Sequence, residues 1–521
     1  MKGSDHDILS LIAQYEHEIT EAVGMPLSMV RFAASFLASV VVGLLLNFVP
    51  TVKGRHIYAT VTGFALLYYP FGNGVFHLFV PTILTYLVML QFQDYSATLS
   101  WLVNFSYLIG CHVAGASGEA WKQGNVDFTG AMMVLALKLI TAGVSYQDGL
   151  KKPEELSPYQ QRHRLTKLPS PLEWLSFTLA SGNLLAGPYF ELSDYKDYME
   201  RKGPWDPKTR RPTARSQYGA GALRFLKALI CLGVHFYMVQ YFPVNALTTE
   251  WYYSLSIIRR AAVMWIVTVI YRFKYYFAWA VSESALIFGG FCFNGWDEKG
   301  DARWDRYSNT RISHVEFATS AAELPAHWNT CTGNFLRRYV YERLTPKGKK
   351  ATFKTLLLTQ LVAGIWHGLF PGYALFFATS AFMFESAKVI YRYEQGLPQR
   401  WRFIQTFPLW QFVKFLYTGF ILNYSASAFL LLDFDLSFKT WNSVHFLGHF
   451  LMVAIIVVSM VNPPRKQRKK EAATADKHDQ TGQAAPPIQS GPTVSDVTYT
   501  NGAETSKAAG VKEDGDAVKV D

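Results

Sequence analysis

The sequence predicts an all-α polytopic membrane protein, with roughly ten or eleven membrane-embedded helices, re-entrant segments among them, around a central cavity. Three observations predict it. Half of the 521 residues are hydrophobic and only 17% are charged, against about 25% charged for an ordinary soluble chain. The apolar residues gather in long runs divided by short polar loops. The net charge of +11 comes from Lys and Arg concentrated in those loops, where the positive-inside rule and anionic lipid headgroups account for it without nucleic acid.

In chain order, residues 1–28 form an N-terminal segment whose core, 5–24, reads as an amphipathic helix held loosely on the membrane surface. It has neither the basic n-region nor the apolar core of a cleaved signal peptide. A membrane domain over 29–462 follows. Its first runs lie near 31–49, 57–71 and 75–92, and Gly72, Asn73 and Gly74 make a tight turn between the second and third. The run at 98–114 carries Asn104 and His112, so it should face protein rather than lipid. The run at 129–145 has Lys138 at its centre, which must find a partner or snorkel to an interface.

Two basic loops, 150–170 and 200–217, bracket the stretch PLEWLSFTLASGNLLAGPYFELSDY. If both loops face the cytoplasm, that stretch cannot be one full crossing. Gly182, Gly187 and Pro188 suit a re-entrant segment, tolerated at membrane depth only where protein or a water-filled cavity covers it. An ordinary span with one basic loop on the other side is the alternative. Further runs lie near 222–242, 254–271, 275–294, 355–370, 410–432 and 443–461. Five basic residues between Arg465 and Lys470 place the far end of the last run in the cytoplasm. The tail, 463–521, has Tyr499 as its sole aromatic residue and cannot bury a core.

The four cysteines, Cys111, Cys231, Cys292 and Cys331, form no CxxC pair, and no HExxH pair occurs, so neither a disulfide framework nor a metal site is expected. The chemistry concentrates between His327 and Tyr373. His367 sits in a run otherwise greasy enough to cross a bilayer, and a histidine at that depth is a functional-site hypothesis. On a helix, Gly364, Ala363 and Gln360 share its face, while Gly368, Pro371 and Gly372 break the helix just beyond it. Asn329 lies upstream beside Trp328; its carboxamide, two donors and an acceptor, can hold an oxyanion or orient a hydroxyl. Trp328, Gln360, Gly364, Trp366, Gly368, Tyr373 and Arg337 are the candidate substrate-binding residues around the catalytic pair His367 and Asn329. Arg337, Arg338, Arg343, Lys347, Lys349 and Lys350 either anchor the chain at the cytoplasmic face or hold the phosphates of a nucleotide-bearing donor. His77, His112 and His235 read as hydrogen-bonded packing residues.

WNTCTGNFLRRYVYERL and GIWHGLFPGYALFF resemble the Trp-Asn and His motifs of the membrane-bound O-acyltransferase family. VDFTGAMMVLALKLI, GNLLAGPYFELSDY and AKVIYRYEQ extend the resemblance to its lysophospholipid acyltransferase branch, plant and algal-like members in particular, over most of 30–460. Phe335 departs from it, standing where relatives show Trp, and the residues before Asn329 read PAHW, unlike the diacylglycerol and sterol acyltransferase branch. The resemblance implies an endoplasmic-reticulum enzyme that transfers an acyl chain from acyl-CoA to a lysophospholipid, with His367 as general base and Asn329 beside it. It implies acyl-CoA as co-substrate, no permanently bound cofactor and membrane lipids as surroundings, and it allows a homodimer. Two other readings stay open: acylation of a protein or peptide by the same superfamily, and a transporter or lipid scramblase with His367 in a proton relay.

Overall fold

The computed structural model describes residues 8–115, 127–345, 349 and 351–464. The expected tail from 465 onward, with Lys347 and Lys350, lies outside the described residues. Those described are helical, with two isolated antiparallel bridges, Trp296 with Ala302 and Thr310 with Trp328.

The helices that position the site are α1 (Ile8–Val23), α2 (Leu27–Leu46), α3 (Val52–Phe71), α4 (Phe76–Gln91), α5 (Ser96–Gly115), α6 (Thr129–Asp148), α7 (Ala214–Val239), α8 (Ile257–Phe288), α9 (Thr330–Phe335), α10 (Phe353–His367), α11 (Pro371–Gln395), α12 (Pro408–Leu431), α13 (Phe434–Asn442) and α14 (Leu447–Val461). Among the described residues, six helical runs are long and apolar enough to cross a membrane, or seven if α13 and α14, bent by 74°, form one span.

The turn expected between α3 and α4 is present. Gly72 takes φ +53°, a conformation that suits glycine. Behind it the Phe64 and Phe79 rings meet at 6.1 Å, so the chain folds back on itself.

The two runs expected at 254–271 and 275–294 are one helix. α8 is 32 residues long, about 48 Å at 1.5 Å per residue, well beyond a hydrocarbon core of about 30 Å. Arg272 and Lys274 divide the two apolar runs along the sequence. However, charge does not break a helix, and α8 contains neither glycine nor proline. Arg272 is accommodated inside: Glu316 takes two of its N–H groups at 2.8 and 2.6 Å, and Asn423 takes a third at 2.7 Å. Past Gly368 the chain starts again as α11, a further span.

The bracketed stretch is no single crossing. It forms short helices, Pro171–Thr178, Ser181–Leu184 and Leu192–Glu200, none long enough to span. Lys138, in the middle of α6, takes the partner option rather than snorkelling. It is 0% exposed. Its Nζ donates to the Phe177 carbonyl and to Asn183 Oδ1, and stands 4.7 and 4.8 Å from the Phe177 and Phe190 ring centres. A buried ammonium is tolerable only with such compensation.

α1 is anchored rather than loose. Arg31 of α2 donates to both Glu16 oxygens, at 3.0 and 2.7 Å, and the Tyr69 hydroxyl of α3 donates to the same carboxylate. The Arg31 hydrogen bonds hold the Glu16 carboxyl below its ordinary range, against partial burial.

Small residues set the close approaches. A Cβ on Gly143 would meet Ser100 Oγ at 2.0 Å, where α5 and α6 touch, and one on Gly372 would meet the Ala428 carbonyl oxygen at 2.3 Å, where α11 meets α12.

Candidate active site

α10 begins at Thr352, whose hydroxyl accepts from the Thr355 N–H, and runs without glycine until Gly364. His367 is its last residue. Gly368 follows at φ 141°, a conformation reserved for glycine, and a Cβ there would lie 3.2 Å from the Tyr373 ring. The sharp break leaves the imidazole at the helix end among aromatic rings: Trp366 at 4.6 Å, Phe429 at 5.1 Å, Phe377 at 5.2 Å and Tyr373 at 5.6 Å between centres. Neither ring nitrogen has a hydrogen-bond partner among the described residues, so both remain available to a substrate.

The residue before it is fixed on two sides. The Trp366 carbonyl belongs to the last turn, where helix carbonyls lack intrahelical donors. His112 Nε2 of α5 lies 3.2 Å from it. A carbonyl only accepts, so Nε2 carries the proton. The Trp366 indole N–H donates to the Met133 carbonyl of α6 at 2.8 Å. Two neighbouring helices thus hold the backbone that presents His367.

Asn329 arises from the opposite end of the motif. It precedes α9 in the left-handed conformation, φ 46° and ψ 49°, and its side chain does not cap the helix. Another asparagine does that work. Asn309 accepts the Thr330 N–H on its carbonyl at 3.0 Å and the Cys331 N–H on Oδ1 at 3.0 Å. Its Nδ2 donates to Asn329 Oδ1 at 3.2 Å. α9 passes directly into a π-helical stretch, Leu336–Tyr341, a widened turn often found at functional sites.

The structure gathers His367, Trp366, Tyr373, Gly364 and Gly368 into one cluster. Gly364 makes room for Phe377, whose ring would stand 3.3 Å from an added Cβ. Gln360 sits one turn further down the face, its Oε1 accepting from Ser380 Oγ at 3.0 Å. Trp328 packs edge-on against Trp279 at 4.8 Å and Tyr276 at 5.6 Å. Asn329 and His367 share no direct hydrogen bond. Trp328, beside Asn329, meets Tyr275 at 5.9 Å. Arg337 does not join the cluster: its Nε donates to Glu342 at 3.0 Å.

His327 adds no charge beside Asn329. Burial, with His314 and Arg311 adding to it, pushes its pKa down to about 4. Sequence reasoning missed Asn309; it read His112 as a hydrogen-bonded packing residue, and the structure supplies its partner, the Trp366 carbonyl. No motif marks Asn309; its role shows only when the 309–311 and 327–331 strands of chain are seen bridged. Among the described residues no group of three His, Cys, Asp or Glu side chains could hold a metal ion.

Residues 113–429 match the membrane-bound O-acyltransferase family. The chain is 37% identical to Lysophospholipid acyltransferase 2 of Arabidopsis thaliana over 459 residues, covering 87% of this chain and 98% of the relative. It is 38% identical to Lysophospholipid acyltransferase 1 of the same plant over 86% of this chain and 97% of that one. Membrane-bound glycerophospholipid O-acyltransferase 1 of Mus musculus is 28% identical over 88% and 95%. A family match spanning both motifs, and relatives this similar over nearly their whole length, make the chain a member of the membrane-bound O-acyltransferase family.

Proposed function

We propose that the protein is an acyl-CoA-dependent lysophospholipid acyltransferase, with His367 as general base and Asn329 as its partner. The likeness to the two Arabidopsis enzymes across both motifs carries the reading. The unpartnered imidazole in its aromatic cage supports the assignment of His367. The chain course supports the pairing. The π-helical stretch Leu336–Tyr341, which continues α9 from Asn329, packs against α10.

In the reaction, His367 takes the proton from the lysophospholipid hydroxyl as its oxygen attacks the thioester carbonyl carbon. Asn329 orients the hydroxyl or stabilises the oxyanion. The C–S bond then breaks, and the sulfur leaves with the proton that His367 held. The products are a phospholipid and free CoA thiol, with no acyl-enzyme on the path. Positioning of two amphiphiles supplies much of the rate. Trp328, Gln360, Gly364, Trp366, Gly368 and Tyr373 shape the site, and Arg337, outside that cluster, binds the donor's phosphates.

The finer parts belong to the same proposal. The catalytic domain is 29–462, set in the endoplasmic-reticulum membrane with 463–521 in the cytoplasm. α8, α10 and α12 are embedded beside the apolar spans, which gives roughly ten or eleven embedded helices. Detergent-purified protein given acyl-CoA and a panel of lysophospholipids should release one thiol per phospholipid formed, and its mass in detergent reports whether it is a homodimer. Acylation of secreted peptides instead, or no thiol release with any lysolipid, overturns the assignment.

His112 gives a quieter prediction. Replacing it by leucine strips the donor from the Trp366 carbonyl and is expected to lower kcat about tenfold with little change in KM. His112→Gln, which keeps a donor of similar reach, should recover most of that loss. Equal activity in all three proteins would show that the carbonyl needs no such support.

A further inference from the structure

We infer that Asn309 is a positioning residue that turns the Asn329 carboxamide so that its NH2 group, and not its carbonyl, faces the acyl-transfer site. The assignment starts from a backbone amide. The Cys331 N–H lies 3.0 Å from one side-chain atom of Asn309. A backbone N–H only donates, so that atom is the carbonyl oxygen. The other terminal atom of Asn309 is therefore Nδ2, and it stands 3.2 Å from the Asn329 side chain. An NH2 group only donates, so Asn329 must offer Oδ1 there. What remains free on Asn329 is its own NH2, with two N–H groups and no protein acceptor among the described residues.

Asn309 cannot swing to undo this. It is 0% exposed. Its backbone N–H donates to Glu283 Oε1 at 2.7 Å, and Arg224 Nε pairs with Glu283 Oε2 at 3.2 Å. Its carbonyl takes the Thr330 N–H at 3.0 Å and the Thr330 hydroxyl at 3.3 Å. By capping the first turn of α9 itself, Asn309 also frees the Asn329 side chain from the task that an asparagine at a helix start ordinarily performs. Resting on the reading above, the consequence is a division of labour. Asn329 is a hydrogen-bond donor that stabilises the thioester oxyanion as it forms; it does not accept a bond from the attacking hydroxyl, which is left to His367.

The test uses the full-length enzyme in detergent with acyl-CoA and a lysophospholipid. Asn309→Asp keeps the acceptor for Cys331 but replaces the NH2 by oxygen, so the Asn329 amide must flip and show its carbonyl to the site. Its kcat is expected to fall about 10²-fold, with KM for both substrates within about twofold, since losing one oxyanion donor costs that much. Combined with Asn329→Ala it should cost nothing beyond Asn329→Ala alone. Asn329→Asp, which leaves Asn309 untouched, should be as inactive as Asn329→Ala, because it offers only acceptors; this variant decides the matter if Asn309→Asp does not fold. An inactive Asn329→Ala beside an active Asn329→Asp, or beside an Asn309→Asp enzyme within threefold of the unmodified one, overturns the inference alone. A fully active Asn329→Ala overturns the catalytic pairing and the inference together.

Discussion

Replacing His367 by alanine is expected to abolish measurable acyl transfer while leaving the protein folded. A general base in place contributes about 10²–10⁴ in rate, and the imidazole carries none of the hydrogen bonds that hold the helices together. Its contacts are ring faces and edges from Trp366, Tyr373, Phe377 and Phe429, so the deletion leaves a gap that those rings line rather than an orphaned polar group. His367→Gln, with a similar reach and no basic nitrogen, should be as inactive as the alanine variant. Thiol release from acyl-CoA in the presence of lysophospholipid measures both. Undiminished thiol release from His367→Ala would remove this residue from the chemistry, and the absence of any release from the unmodified enzyme would favour the transporter or scramblase reading.

The second large effect is on stability. Glu191 is 4% exposed, and the hydroxyls of Tyr159, Tyr189 and Tyr339 all donate to its Oε1 at 2.8 Å. Those tyrosines come from three pieces of chain: the short helix Pro158–His163, the broken segment ahead of Leu192, and the π-helical stretch that continues α9. One carboxylate therefore ties the broken stretch 171–195 to the π-helical continuation of α9. Glu191→Leu would take the shared acceptor from the buried Tyr189 and Tyr339 hydroxyls and the half-buried Tyr159, leaving Tyr339 only Ser145 Oγ at 3.4 Å. Each such group costs about 1–3 kcal/mol, so a net loss on the order of 3–5 kcal/mol is expected after the relief of burying a carboxylate. Glu191→Gln, which keeps an acceptor, should lose less than half of that. Thermal unfolding in detergent, followed by tryptophan fluorescence, checks both; a Glu191→Leu protein as stable as the original would show that the tyrosines find other acceptors.

The long apolar runs by themselves determined the class, because backbone groups in hydrocarbon must pair within their own segment and a helix does that locally. The positions of His367 and the glycines after it were legible for the same reason: a polar ring and a break stand out against Leu and Val. The stretch at 171–195 was legible as something other than a span because Gly and Pro interrupt it. The union of 254–271 with 275–294 was not legible. Arg272 and Lys274 look like a loop in one dimension, and only Glu316 and Asn423, brought in from distant segments, show how a charge stays inside a continuous helix. Asn309 was invisible for a related reason. Its importance lies in five hydrogen bonds to residues some 20 or more positions away, and no periodicity records a partner that remote. Hydrophobic pattern is a local property and so can be read along the chain. The orientation of one carboxamide depends on which polar atoms burial forces together, and tertiary structure alone decides that.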